Sequence, residues 1–508
     1  MLLGGAIAGL TVELATITNV SAMPAVIAVF LISVVGLFTA SEPLDWWYNA
    51  KINGRYYLVA LVPAVFSPFA ILGTWDGDWL LLFQGGQAIF AGEPLTGKML
   101  ERPPMFGASA APLWCLQNSL ASYQVFCAVM SAGLLVQLHA MTKRYFPNCQ
   151  PWVVVGLFAL SAFFLHHTAA CWGKLMAGSF MLAAVESAYR EGPQRRYARA
   201  AICFAISVAI HQSSILYVPL LAAVYWYGAP ISLSNIVRCV LSYAIAGLFL
   251  VGLFEFWTVR EYGLDAKINA NPSTSQRPDD LSFAANTLMI VLSSFVGWSP
   301  INNVVRWWGE SNRWQLQNMI AEFFWLLTSW LQISAGTFLV LSLPFLVSAP
   351  RRLSIALATR IQTLHGLTFA GAATIIVVLN AMINPFHSAS GSMQTGLVPL
   401  GIMALWLLST WASNRRDVML RAITWTLSLA TLPWIGLMTV VTVGMNFSES
   451  FRSIIQNGSE GDWGRLVVHS LKPLGLSVFP AAHLVIVTAI LFVALQSFHQ
   501  PLVKQSNV

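Results

Sequence analysis

The chain has 508 residues, 57% of them hydrophobic and only 9% charged, with a mean hydropathy of +0.67. A soluble domain carries about 25% charged residues, so this composition excludes a water-soluble globule and predicts a polytopic all-α membrane protein. The apolar runs are continuous, which rejects a β-barrel with its alternating segments of about ten residues, and the formal charge of +7 comes without basic runs interleaved with aromatics, which argues against nucleic acid as a partner.

The first 20 residues are weakly apolar and contain Glu13; they read as an interfacial helix or a short span. They lack the basic start of a cleaved signal peptide. Spans are predicted at 23–40 and 56–73, then at 119–141, 151–168, 175–189, 199–213, 214–228, 236–256, 319–346, 362–383, 395–411, 422–443 and 479–497. That is about 13 crossings at ~20 residues each. The two around His211 are short and read either as tilted helices or as a re-entrant hairpin. Six cysteines (Cys115, Cys127, Cys149, Cys171, Cys203, Cys239) form no CxxC pair, and several fall inside apolar runs. Neither a metal site nor a disulfide framework is expected from them.

Basic residues set the orientation. One alternating set of loops holds 16 of the 27 Lys and Arg residues, from Lys51 and Arg55 to Lys504, with few acids beside them. These loops are expected in the cytoplasm. The opposite set holds the long loops 75–118, 257–318 and 444–478, which places them on the outer face, periplasmic in a bacterial inner membrane. The expected organisation is an N-terminal membrane segment (1–55), a transmembrane core (56–256) containing outer loop 75–118, a long outer loop with an interfacial helix (257–318), and a C-terminal membrane region (319–508) containing outer loop 444–478. In the 257–318 loop, Trp307, Trp308 and Trp314 lie among charges, a pattern that anchors a helix at an interface.

The first long loop carries the densest chemistry. Asp76 and Asp78 flank Gly77 where the span 56–73 ends, and Trp75 and Trp79 bracket them. An amphipathic segment follows, then a Gly/Pro turn and Glu101-Arg102-Pro103-Pro104. Carboxylates at such an exit are ordinary polar helix boundaries unless a cavity lies beneath them; over a cavity, one of them can activate an acceptor hydroxyl as a general base. Arg102 by position reads as an ordinary interfacial arginine. Further along, His166, His167 and Lys174 fall at the outer end of a helical hairpin. Lys174 by itself reads as a snorkelling lysine, and a histidine pair without acids or cysteines nearby is weak evidence for a metal. His211-Gln212-Ser213-Ser214 interrupts an apolar stretch, as a helix–helix hydrogen-bond cluster or as part of a substrate cavity. His387 and Gln394 occupy a late outer turn as further cavity candidates.

Asp76 and Asp78, then Ile89-Phe90-Ala91-Gly92-Glu93-Pro94, then Arg102-Pro103-Pro104-Met105 resemble the first outer loop of GT-C-fold glycosyltransferases. These include the lipid A aminoarabinose transferases and the protein O-mannosyltransferases. The likeness covers roughly the first 230 residues. It implies a GT-C-like bundle that takes a sugar from a polyprenyl-phosphate-linked donor at the outer face and passes it to a lipid, a lipid-linked glycan or a protein. It also implies that Asp76 or Asp78 is the catalytic base, Asp76 being slightly favoured, that Arg102 approaches the donor phosphate, a role its planar donor fork suits, or helps order the loop, and that Lys174 contacts the same phosphate. Where family members carry Arg-Tyr late in the chain, this one reads Ser392-Met393-Gln394. Some relatives use a divalent cation and others do not, and no decisive ligand set settles the matter here.

Two rival readings stand beside this one. The Ala-Ile-His-x-Ser element around His211 resembles O-antigen and exopolysaccharide polymerases, which act on polyprenyl-diphosphate-linked saccharides at the same face. A transporter would show related halves with broken helices, and no such symmetry is visible.

Overall fold

The computed structural model describes residues 2–40, 78–102, 104–116, 120–145, 173–189, 197–219 and 232–270, with a few isolated helical positions such as Tyr56, Ala60 and Thr168. Every regular element among them is helical. The predicted spans 56–73 and 151–168 lie largely outside the described residues, and everything from 271 onward lies wholly outside them.

Helix α1 (Leu2–Ile17) is short, about 24 Å at 1.5 Å per residue, less than the ~30 Å of a hydrocarbon core. Gly5, Ala6, Gly9, Val12 and Glu13 recur at three- and four-residue spacing and form its buried stripe. The helix closes on Asn19 in the left-handed region (φ 56°), with Val20 N–H bonded to Ala15 O at 2.8 Å and Asn19 N–H to Thr16 O at 3.1 Å. Those two bonds take up carbonyls that would otherwise end the helix unpaired. Helix α2 (Ala22–Ala40) packs back on α1.

Helix α3 (Asp78–Ala91) ends in the same way. Gly92 adopts φ 74° and Glu93 N–H returns to Ala88 O at 2.7 Å. A 3-10 turn (Gly97–Glu101) leads to the short helices α4 (Met105–Ala108) and α5 (Ala111–Trp114). Here backbones meet directly. A Cβ on Gly107 would sit 1.9 Å from the Leu82 carbonyl oxygen, and one on Gly86 would sit 2.4 Å from the Gly107 backbone. A Cβ on Gly9 would come within 2.8 Å of Met105 O. Three glycines therefore let α1, α3 and α4 touch. Phe83, Phe106, Trp114, Tyr123 and Phe126 fill the space beside them with tilted and edge-on ring pairs.

Helix α6 (Leu120–Tyr145) supplies Tyr123 and Phe126 to this core and ends on Lys143 and Arg144. It packs on α7 (Lys174–Tyr189), where Gln137 Nε2 donates to Ser179 O at 3.0 Å and Arg144 pairs with Glu186 at 3.0 Å. Helix α8 (Tyr197–Ile210) lies against α7, and after His211 a 3-10 turn (Gln212–Tyr217) follows.

Helix α9 (Leu233–Tyr262) is the element long and apolar enough to cross a membrane among the described residues. Its 30 residues rise about 45 Å, with a π-helical turn at Leu248–Gly252. Ser232 caps it by accepting from Asn235 N–H at 3.2 Å. Most of it is not buried: Val240, Leu241, Ile245, Leu248 and Phe249 all face outward. One helix thus covers the expected span 236–256 and runs six residues beyond it to Tyr262, stopping at Gly263 (φ 85°). A last short helix, α10 (Leu264–Ala270), turns back from there.

Candidate functional site

Arg102 follows the 3-10 turn in extended conformation (φ −108°, ψ 134°) and is half-buried. Four residues on, the ring of Phe106 lies against Gly173 and beside Ile210. A Cβ on Gly173 would fall 2.9 Å from Phe106 Cγ and 3.0 Å from Ile210 Cγ2. The residues that follow Gly173 and Ile210 are Lys174 and His211. Phe106 is therefore the hub on which three distant segments meet, and each brings one basic side chain.

Lys174 is the first residue of α7 and is only 6% exposed. His211 is extended (φ −152°, ψ 111°) between α8 and its 3-10 turn, and its Nδ1 lies 2.8 Å from Ser213 Oγ. The charges of both Lys174 and Arg102 act on His211. A second bond set fixes this corner. The Ser207 hydroxyl donates to the Ala177 carbonyl at 2.7 Å and takes the Ser214 hydroxyl as a further partner at 2.9 Å. These bonds tie α8 and the 3-10 turn to α7 just past Lys174. The polar stretch at 211–214 is thus a hydrogen-bonded corner, and the corner holds His211 beside two cations.

Such an arrangement of guanidinium, ammonium and imidazole can bind a phosphate or another oxyanion. Arg supplies directional paired donors, Lys a compact charge, and His a donor that depends on its protonation. Burial strengthens each of these interactions relative to water.

Asp78 opens α3, one turn before Leu82 and its contact with Gly107, so it stands on the same loop as Arg102. Asp76, His166, His167, His387 and Gln394 lie outside the described residues. Of the predicted site residues, the structure brings together Arg102, Lys174 and His211. No group of three His, Cys, Asp or Glu side chains suited to a metal comes together among the described residues.

One more carboxyl sits in this core. Glu13 on α1 is 4% exposed.

Sequence reasoning missed the supports of the Arg102 segment. Leu95 N–H donates to Tyr262 Oη at 2.8 Å across 167 positions. Lys267 on α10 pairs with Glu255 on α9, and α10 lies on the 3-10 turn. The available signal was Tyr262-Gly263: a glycine just past an aromatic helix end is a stop that lets the chain fold back.

No protein-family model matches this chain, and neither does any curated protein or solved structure. What the fold defines is an all-helical protein, among the described residues, with one helix long and apolar enough to span a membrane.

Proposed function

We propose that this protein is a multi-pass membrane glycosyltransferase of the GT-C type. It transfers a sugar from a polyprenyl-phosphate-linked donor to a lipid, glycan or protein acceptor at the outer face of a bacterial inner membrane. The observation that carries the reading is that the charges of Lys174 and Arg102 act on His211, beside the point where Phe106, Gly173 and Ile210 meet. These three residues belong to segments about 70 and 40 positions apart, and together they form a basic corner of the kind a lipid phosphate requires. The loop that carries Arg102 also carries the Asp76/Asp78 pair. A carboxylate there would take the acceptor proton while the basic corner stabilises the departing polyprenyl phosphate.

The reading predicts that Asp76→Asn or Asp78→Asn lowers transfer by about 10²–10⁴-fold with little change in melting temperature. The assay is transfer of labelled sugar from purified polyprenyl-phosphate donor by the full chain in nanodiscs. Full activity in both single variants overturns the assignment of the base.

One observation favours a second reading. His211 is part of the basic corner, and an imidazole added to two cations suits a diphosphate as well as a monophosphate. The alternative is a polymerase or ligase acting on polyprenyl-diphosphate-linked saccharides. Product size separates the two: a lengthened chain supports the alternative, and a single added sugar supports transfer.

A further inference from the structure

Arg102 reaches the basic corner only if the segment that precedes it stays in place. Leu95–Glu101 contributes one 3-10 turn, closed by the Met99 N–H bond to Thr96 O at 3.0 Å. Its supports come from α3, where Gly85 faces Leu95 and Met99, and from the far end of α9. Tyr262 Oη accepts the Leu95 amide proton at 2.8 Å. Gly263 takes φ 85°, which is left-handed backbone that glycine adopts without strain, and this reverses the chain after α9. Helix α10 then lies on the 3-10 turn, with Ala266 and Tyr262 packed against the core that contains Leu95 and Leu100. Lys267 binds back to Glu255 and closes the hook on itself. Trp257 stands edge-on to Tyr262, 5.9 Å between ring centres, and fixes the ring that carries the accepting oxygen.

We infer that the hook Glu255–Lys267 is a latch that holds the Arg102 segment against Lys174 and His211. Tyr262 and Lys267 are its positioning residues. The inference rests on the reading of Arg102, Lys174 and His211 as an anion site. It goes further by assigning control of that site to the first residues of the long loop after α9. None of the latch residues belongs to the basic corner, so a loss of anion affinity on changing them comes from displacement of Arg102 and not from removal of a ligand.

The test uses the full chain in nanodiscs, with two readouts: amide hydrogen exchange over Leu95–Arg102, and titration with inorganic phosphate. Tyr262→Phe removes the acceptor for the Leu95 amide and keeps the ring. Losing one such bond is expected to speed exchange over this segment about fivefold and leave Val125–Leu138 of α6 unchanged. Phosphate affinity should fall by a similar factor. Lys267→Glu should do the same, and the swap Glu255→Lys with Lys267→Glu should restore both readouts. Unchanged exchange in Tyr262→Phe and Lys267→Glu overturns the latch. Faster exchange with undiminished phosphate affinity overturns its role in placing Arg102. If the wild type and Arg102→Ala/Lys174→Ala are alike in failing to bind phosphate, the anion-site reading falls, and the exchange readout still decides whether the hook holds the segment.

Discussion

The α3–α4 contact and helix α9 are both strongly apolar, yet their surfaces are opposite. At the contact, Gly86 faces Gly107, Gly107 faces the Leu82 carbonyl, and Gly9 of α1 closes on Met105 and Ser109. Small residues there allow backbones to touch, and nearly every side chain from Met105 to Ala111 is buried. On α9, branched and aromatic side chains such as Val240, Leu241, Ile245 and Phe249 point outward. Hydropathy alone does not separate the two. Residue size does: glycine and alanine mark where protein meets protein, and large apolar side chains mark the surface that the proposed bilayer would cover.

The sharpest way to break this comparison is to add one methyl group to each region. Gly107→Ala drives its Cβ into the Leu82 carbonyl at 1.9 Å, and backbone on both sides cannot yield cheaply. The expected loss is at least about 3 kcal/mol of stability. Gly247→Ala on α9 meets nothing within 4 Å and has ordinary helical dihedrals. It should be neutral, or stabilising by up to ~1 kcal/mol from helix propensity. Thermal unfolding of both variants in the same detergent measures the contrast. Equal melting temperatures would remove the distinction between the two surfaces.

Some of this was legible in the residues. The runs predicted at 119–141, 175–189 and 236–256 appear as α6, α7 and α9, because an unbroken apolar run of that length forms one helix. Arg102, Lys174 and His211 could each be picked out by type and by position at a helix end. Their convergence could not. It depends on Phe106 packing against Gly173 and Ile210, contacts that span about 70 and 100 positions and leave no local pattern. The first 20 residues read as an interfacial helix or a short span because they are weakly apolar and contain Glu13, and nothing local singles out Gly5 and Gly9. Those glycines matter through what they let approach. The hook after α9 was hidden for a related reason: Lys267 and Glu255 look like ordinary loop and boundary charges until Gly263 folds one onto the other.

The finest test of the comparison removes a single methyl group from the same residue type in both settings. Ile206 on α8 is 3% exposed and belongs to the buried core, whereas Ile245 on α9 is 55% exposed. Ile206→Val leaves a small cavity next to neighbours that relax only in part, and should cost about 0.5–1.5 kcal/mol. Ile245→Val removes a methyl group that has few protein neighbours, so the change should stay within about 0.5 kcal/mol. The test works best in detergent and in nanodiscs together. If Ile245 faces lipid, its substitution is silent in both. A cost at Ile245 equal to that at Ile206 would mean that another part of the chain covers α9, and the outward face would then be an internal seam.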